Sequence, residues 1–236
     1  MKVAASSVPG VRLHGPDSPE FETALTAILG RAPRQLLRPA LPFSVIVENN
    51  SSRTIALLGV RFDMLGARAK EYSVVHYADT LRNPEKADLR PGVTRFVCAE
   101  PAYTALVIRG EVAADTRGRM NLDNLRRMLQ IRASLDCVAF ADGSFHGPDS
   151  QGAFDRLREE RRAEAALLAE MLGLEAAPPG HVETLLTEAV QDASSRGRRN
   201  VARKLLEALA AGGMRDMLAR ARSYRCRIAL TREVAG

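Results

Sequence analysis

The sequence has few of the features on which several classes of protein depend. Aromatic residues make up 5% of its 236 residues and tryptophan is absent, so we do not expect a surface that binds nucleic acid or carbohydrate by aromatic stacking. No window of eighteen residues is apolar throughout, and the first thirty residues have no long apolar run. These absences argue against a membrane-spanning helix and a secretory signal. We therefore predict a cytoplasmic protein with no membrane partner, or a secreted or periplasmic one if the true N-terminus is missing.

Motifs for nucleotide binding and covalent catalysis are also lacking. The chain contains neither G-x-x-x-x-G-K-[ST] nor G-x-G-x-x-G, the loops that hold phosphates, and no G-x-S-x-G, the turn that exposes a reactive serine. His76, beside Tyr77 and close to Asp79 in a predicted strand, could act as a general base, but no activated nucleophile accompanies it. The sequence therefore favours a protein that is not an enzyme, and it predicts no cofactor.

Cysteine is scarce and dispersed. The three cysteines are Cys98, Cys137 and Cys226, and no two of them form a C-x-x-C pair, so no zinc or redox motif is recognisable. Cys98 and Cys137 both fall in predicted strands, where they could bridge two sheets or remain as buried thiols. The sequence leaves both states open, although the reduced thiol is the commoner one in a core.

Period-two alternation is the most regular pattern that the chain does contain. Between Leu129 and Cys137 every second residue is apolar and the residues between them are polar. This pattern predicts a β-strand with one buried and one exposed face. The strand is expected to continue to Phe140 and to end in the turn-forming run Ala141-Asp142-Gly143-Ser144.

Alternation also predicts a β-hairpin earlier in the chain. Phe43–Glu48 and Ile55–Phe62 alternate, and the run Asn49-Asn50-Ser51-Ser52 between them is rich in turn formers. The apolar positions of the second strand change from odd to even numbers, which predicts a β-bulge near Leu58-Gly59. Because several short strands follow one another, we predict an antiparallel β-sandwich. Weaker strand patterns cover 73–77, 93–98 and 103–112, whereas 120–127 fits either a loop or a helical turn.

Helical patterns flank the β module on both sides. Ser18-Pro19, followed by two glutamates, predicts a short helix that ends at Gly30, after a loose arm rich in glycine, proline and serine. A helix over 151–172, with Asp149 or Ser150 as its cap, begins the C-terminal helical region. Gly212-Gly213 interrupts the helical pattern further on. The predicted parts are an N-terminal arm with a short helix, a β-sandwich, and a helical region with a basic tail, at 1–40, 41–149 and 150–236.

The end of the long strand and the loop after it resemble a stretch in uncharacterised bacterial proteins of immunoglobulin-like β-sandwich fold. The segment is Val138-Ala139-Phe140-Ala141-Asp142-Gly143-Ser144-Phe145-His146-Gly147-Pro148-Asp149, and the likeness covers about residues 40–172. It implies an α+β chain in which an antiparallel immunoglobulin-like β-sandwich precedes a C-terminal helical region. The Cys…Trp…Cys core of antibody domains is absent. No activity is known for that group, so the resemblance assigns no functional residue.

The loop between the long strand and the next helix is the best candidate for a metal site. It places Asp142, His146 and Asp149 within eight residues, and carboxylate oxygens with an imidazole can hold a divalent cation. The spacing matches no standard calcium loop, and the same residues suit turns and a helix cap. A metal-dependent hydrolase is therefore one alternative function.

Positive charge is concentrated in the C-terminal tail. Residues 195–236 carry 11 Lys/Arg and 3 Asp/Glu, whereas the whole chain carries a net charge of +6, so the remainder is slightly acidic. The densest cluster of positive residues lies at the start of a predicted helix. The positive end of the helix dipole repels these charges, and an anionic partner would relieve that repulsion. The members of the cluster are Arg196, Arg198, Arg199, Arg203 and Lys204. Association with nucleic acid through this cluster is a second alternative.

Strands, turns and helix caps account for nearly all of the polar residues that stand out in the sequence. The first expectation is therefore a non-enzymatic binding or interaction module of immunoglobulin-like type with an unknown protein partner.

Overall fold

The computed structural model describes residues 1–29, 37–80, 89–101, 116–224 and 230–232. Over these ranges the chain is a mixed α+β protein whose strands form two sheets, mostly antiparallel. It divides into two compact units, Met1–Gln151 and Gly152–Arg232. The predicted α+β class is therefore confirmed.

The first unit contains eight strands in its described part. They are β1 (Lys2–Val3), β2 (Val11–His14), β3 (Ser44–Asn49), β4 (Ile55–Leu65), β5 (Glu71–Asp79), β6 (Thr94–Cys98), β7 (Gln130–Phe140) and β8 (Ser144–His146). Helices α1 (Pro19–Leu29) and α2 (Thr116–Arg126) accompany them, with 3₁₀ turns at Leu41–Phe43 and Ala67–Ala69. The patterns at 73–77 and 93–98 are confirmed as β5 and β6, and the one at 103–112 lies outside the described residues. The ambiguous segment at 120–127 lies in α2 as far as Arg126.

Both sheets contribute to one hydrophobic core. In the larger sheet β5, β4, β7 and β8 lie side by side and antiparallel, while β1 pairs with β7 in parallel. In the smaller sheet β3 lies between β2 and β6, again antiparallel. Phe21 of α1, Ile46 of β3 and Phe62 of β4 meet in this core, each almost fully buried.

The N-terminal residues are part of this structure. Residues 1–19 are not the loose arm that their composition predicts, because β1 and β2 pair with β7 and β3 and Val8 and Val11 are buried in the core. Helix α1 begins as predicted, since the Ser18 hydroxyl oxygen accepts the N–H of Phe21 at 3.2 Å.

The predicted hairpin between β3 and β4 is wrong. β3 pairs within the smaller sheet and β4 within the larger one, so the connection crosses between sheets. Asn49, which is fully buried, holds this crossing. Its amide donates to the carbonyls of Arg53 and Leu89 (both 2.8 Å), and its Oδ1 accepts from the N–H (3.1 Å) and hydroxyl (2.6 Å) of Ser51. Alternation shows which face of a strand is buried, but not which strand it pairs with.

Two β-bulges shift the register between β4 and β7. The first leaves Ala56 as the extra residue on β4, and the second leaves Asp136 as the extra residue on β7, opposite Gly59 and Val60. The bulge predicted near Leu58-Gly59 is confirmed in position, with the inserted residue on the partner strand.

The bulge at Asp136 exchanges the faces of β7. Before it the core-facing residues are odd-numbered and after it even-numbered: Ile131, Ala133, Leu135, Val138 and Phe140. Cys137 is also buried, but on the opposite face, where a Cβ at Gly59 would lie 2.7 Å from its Sγ. The alternation predicts Asp136 on the exposed face, yet it is only 1% exposed. Leu129, predicted as the first buried position, precedes the strand and is 70% exposed.

The second unit is a helical bundle with a core of its own. It consists of α3 (Ala153–Gly173), α4 (Pro179–Gln191), α5 (Arg196–Ser223) and the two-residue strand β9 (Thr231–Arg232). Apolar residues at helical spacing form its core, among them Leu167, Leu168, Met171, Leu186, Leu205 and Met217. The break predicted within α5 is confirmed, because Gly212 and Gly213 have non-helical backbone angles.

The two longest helices begin differently. The N-cap position of helix α3 is Gly152, not Asp149 or Ser150 as predicted. At the start of α5 the Ser195 hydroxyl oxygen accepts the N–H of Arg198 at 3.2 Å. None of the helices in the described ranges has a stretch long and apolar enough to cross a membrane.

Candidate functional site

Arg53, in the crossing between the two sheets, holds the turn after β7 in place. Its guanidinium donates to the Ser144 hydroxyl (Nη1 to Oγ, 2.8 Å) and to His146 (Nη2 to Nε2, 3.2 Å), and it lies 3.8 Å from the centroid of the Phe140 ring. Because a guanidinium can only donate, Nε2 of His146 accepts and the ring proton is on Nδ1. The rings of His146 and Phe140 meet edge to face, with 5.5 Å between centroids.

Asp142 is fixed by the same group of residues. Its Oδ1 accepts from the hydroxyl (2.6 Å) and the N–H (2.9 Å) of Ser144, and its Oδ2 lies 3.7 Å from Nη1 of Arg53. Partial burial disfavours the charged carboxylate, but the hydrogen bonds from Ser144 and the charge of Arg53 outweigh that cost, so the pKa of Asp142 lies below its ordinary value. Asp142 is therefore an ionised turn residue that already has a cationic neighbour.

The three residues predicted as metal ligands are not brought together. Asp142 and His146 meet at Arg53, whose positive charge would repel a cation bound between them. Asp149 instead lies close to Asp136 and Cys137. The arrangement therefore gives no support to a metal site made of Asp142, His146 and Asp149.

The β7 bulge and the loop after β8 form a buried group with potential metal ligands. A carboxylate oxygen of Asp136, Sγ of Cys137 and a carboxylate oxygen of Asp149 all lie within 4.8 Å of one another. All three residues are buried. Oδ1 of Asp136 accepts the N–H of Ser150 at 3.0 Å, whereas Oδ2 has no hydrogen-bond partner among the described residues. A buried carboxylate oxygen without a donor is costly unless a proton or a cation satisfies it.

Gly147 allows the loop to approach the bulge this closely. Its φ is +109°, and a Cβ there would overlap the carbonyl oxygen of Asp136 and lie 3.0 Å from Cα of Cys137. The backbone N–H of Asp149, itself at a φ of 55°, donates to the same carbonyl at 3.0 Å. Only a residue without a Cβ fits at Gly147, so the loop position depends on this glycine.

His76, the candidate general base, is held by contacts within the first unit. It lies on β5 against Phe62, with 5.7 Å between ring centroids, and its Nε2 donates to the carbonyl oxygen of Ala99 at 3.0 Å. Burial lowers its pKa, although the hydrogen bond to Ala99 opposes that shift. Nε2 of His76 is therefore already engaged by the backbone of the fold.

The predicted basic cluster lies on the first turns of α5, in the helical unit. Arg198 is paired with Glu170, at 3.3 Å between Nη2 and Oε2. The other four members, Arg196, Arg199, Arg203 and Lys204, have no ion pair among the described residues. Arg196 and Arg203 are exposed and Arg199 and Lys204 half-buried. Positions 196, 199 and 203 follow i, i+3, i+7 spacing and therefore share one face of the helix.

Sequence reasoning missed Arg53 and Asp136. Asp136 had a signal, because it is the one charged residue in the otherwise apolar run Leu135–Phe140. Arg53 had none, since it stands in a polar turn and its partner Ser144 is 91 residues away.

The two thiols that the sequence left open are not bridged. Cys98 and Cys137 both remain buried thiols, and burial raises the pKa of Cys98. Comparisons with protein-family models, with curated proteins and with solved structures return no match for this chain.

Proposed function

We propose that this protein is a non-enzymatic binding module in which an immunoglobulin-like β-sandwich carries a helical unit that binds an acidic segment of a partner protein. The sandwich is supported by the two sheets that share one core. The absence of catalysis is supported by the way in which Asp142, His146 and His76 are engaged in contacts within the fold. The buried thiols Cys98 and Cys137 suit the reducing cytoplasm.

One observation carries the proposal. Arg196, Arg199, Arg203 and Lys204 crowd the start of α5 without an ion pair among the described residues. Charges of one sign at the positive end of a helix repel one another and the helix dipole. Carboxylates of a partner would relieve both repulsions, and part of that energy would appear as affinity.

The acids around the cluster favour a protein partner over a nucleic acid. Glu170 neutralises Arg198, Asp192 lies close enough for Arg198 and Arg199 to lower its pKa, after the larger effect of its hydrogen bonds with Ser194, and Glu207 is exposed one turn beyond Arg203. These carboxylates would repel a polyanion that ran along the helix. A short acidic stretch of a protein can match the cluster without meeting them.

The test compares two triple variants of the full chain with equal loss of charge. The first variant removes three positive charges from the shared face of α5; it is Arg196→Gln/Arg199→Gln/Arg203→Gln. The second variant removes three exposed arginines elsewhere in the helical unit; it is Arg158→Gln/Arg162→Gln/Arg222→Gln. The probes are a glutamate-rich peptide and duplex DNA, each titrated at several salt concentrations. We expect salt-sensitive peptide binding that the first variant weakens by about tenfold or more and the second by less than about twofold.

Three results would count against the proposal. Equal losses in the two variants would mean that binding follows net charge alone. If neither probe binds, the basic cluster on α5 is not a binding surface. Tighter binding of DNA than of the peptide at the same salt, lost in the first variant, would replace the acidic protein by nucleic acid.

A further inference from the structure

We propose that Asp136, Cys137 and Asp149 form a buried structural site for a divalent transition-metal cation. This site differs from the one that the sequence predicts, because it shares only Asp149 with the set Asp142, His146 and Asp149. It is independent of the binding surface on α5. Its donors come from two places in the first unit, the bulge of β7 and the loop after β8.

The spacing of the donors fits a metal ion. One atom from each side chain lies within 4.8 Å of the other two. In a tetrahedral complex with metal–oxygen bonds of about 2.1 Å and a metal–sulfur bond of about 2.3 Å, the ligand atoms are about 3.5 Å apart. Small side-chain rotations would therefore bring the three atoms onto one cation.

The unsatisfied oxygen of Asp136 points to a ligand. Asp136 is 1% exposed, and its Oδ2 has no hydrogen-bond partner among the described residues. Asp149, only 8% exposed, places a second carboxyl close by. A cation held between these two carboxyl groups would satisfy Oδ2 of Asp136.

The donor chemistry selects the kind of cation. Carboxylate oxygens are hard ligands and a thiolate is a soft one, a combination that suits a borderline ion such as Zn²⁺ better than Mg²⁺ or Ca²⁺. On binding, the cation forms bonds to two carboxylate oxygens and to Sγ of Cys137, and the thiol proton passes to solvent. Because all three donors are buried, the ion would fasten the loop to β7.

Cobalt(II) is the probe, because a cobalt–thiolate bond absorbs in the near ultraviolet. The full chain is treated with a chelator, dialysed and titrated with Co²⁺. We expect the charge-transfer band to appear, to saturate at about one equivalent and to accompany a higher melting temperature. The Cys98→Ser/Cys226→Ser variant, in which Cys137 is the only thiol left, should show the same band.

Single substitutions assign the ligands. Cys137→Ser should abolish the band, and Asp136→Asn and Asp149→Asn should weaken Co²⁺ binding by more than about tenfold. Asp142→Asn is the matched control, because that carboxylate lies in the same loop region but faces Arg53, and it should bind Co²⁺ as the wild type does.

Two results would overturn the site. One is the absence of a band in both the wild type and the single-thiol variant. The other is a band that survives Cys137→Ser. Should Asp136→Asn fail to fold by circular dichroism, the single-thiol variant and Cys137→Ser still decide the question.

Discussion

The guanidinium of Arg53 lies 3.8 Å from the centroid of the Phe140 ring. This contact joins the crossing between the two sheets to the end of β7. From the same position Arg53 donates to Ser144 and His146. One side chain therefore fixes the turn that the sequence singles out as a candidate site.

Replacing Arg53 should destabilise the first unit. Arg53→Met keeps much of the side chain's length but removes two hydrogen bonds and the cation–π contact, and we expect a loss of about 1–3 kcal/mol in the free energy of unfolding. Urea denaturation of the variant and of the wild type measures this loss of stability. Arg61→Met is the matched control, since Arg61 is equally exposed (35% against 34%) but, within the part of the chain that the structure describes, forms an ion pair only with Asp63; it should cost less than about 1 kcal/mol. Similar losses in the two variants would show that Arg53 has no special role.

Gly147 should tolerate no side chain. Gly147→Ala would place a Cβ against the Asp136 carbonyl and strain the backbone at a φ of +109°, and we expect a loss of at least about 3 kcal/mol. Gly92 also has a positive φ, +75°, but a Cβ at that position would have no atom within 4 Å. Gly92→Ala should therefore cost only about 1 kcal/mol. Thermal melts of both variants test the difference, and equal costs would rule out the close approach at Gly147.

Asn49 should not be replaceable by aspartate. Asn49→Asp exchanges two N–H donors for a buried oxygen that faces the carbonyls of Arg53 and Leu89, so we expect a loss of about 3–5 kcal/mol. The neighbouring Asn50 is exposed, and Asn50→Asp should change stability by less than about 0.5 kcal/mol. Chemical denaturation of the two variants measures the contrast. A tolerated Asn49→Asp would mean that this side chain does not hold the crossing.

His76 should make stability depend on pH. Its pKa is lower in the folded chain than the ordinary value of 6.5, chiefly because it is buried. The unfolded chain therefore binds the proton more readily, and acidification through pH 6.5 favours unfolding. We expect the free energy of unfolding to fall between about pH 7 and about pH 5, and to fall less in His76→Gln, whose amide can still donate to Ala99. Urea melts across this range check the slope. An unchanged slope in His76→Gln would assign the pH dependence to other groups.

Local patterns predicted most of the elements but not their partners. The alternation in β7 gave the buried residues up to Leu135, and the glycine pair in α5 gave the break in that helix. The hairpin failed because β3 and β4 belong to different sheets, a choice that depends on strands far away in the chain. The sequence also could not show which residues of β7 beyond Leu135 face the core, since the bulge at Asp136 is defined only by its pairing with β4.

The two candidate sites also differ in whether they depend on residues close together or far apart along the chain. The basic cluster of α5 could be read from the sequence, because its members are close together along one helix. The group of Asp136, Cys137 and Asp149 could not, because β8 lies between its donors along the chain and the loop must fold back onto the bulge.

The sequence by itself determined the spacing of apolar and polar residues, and with it the strands, the helices and the excess of positive charge near the C-terminus. These features depend on residues one to four positions apart, which the geometry of a strand or a helix brings to one face of that element. Tertiary structure alone decided which strands share a sheet, which buried carboxyl lacks a donor and which arginine reaches across to the turn. Those outcomes depend on contacts between distant residues, whose energies no local pattern contains.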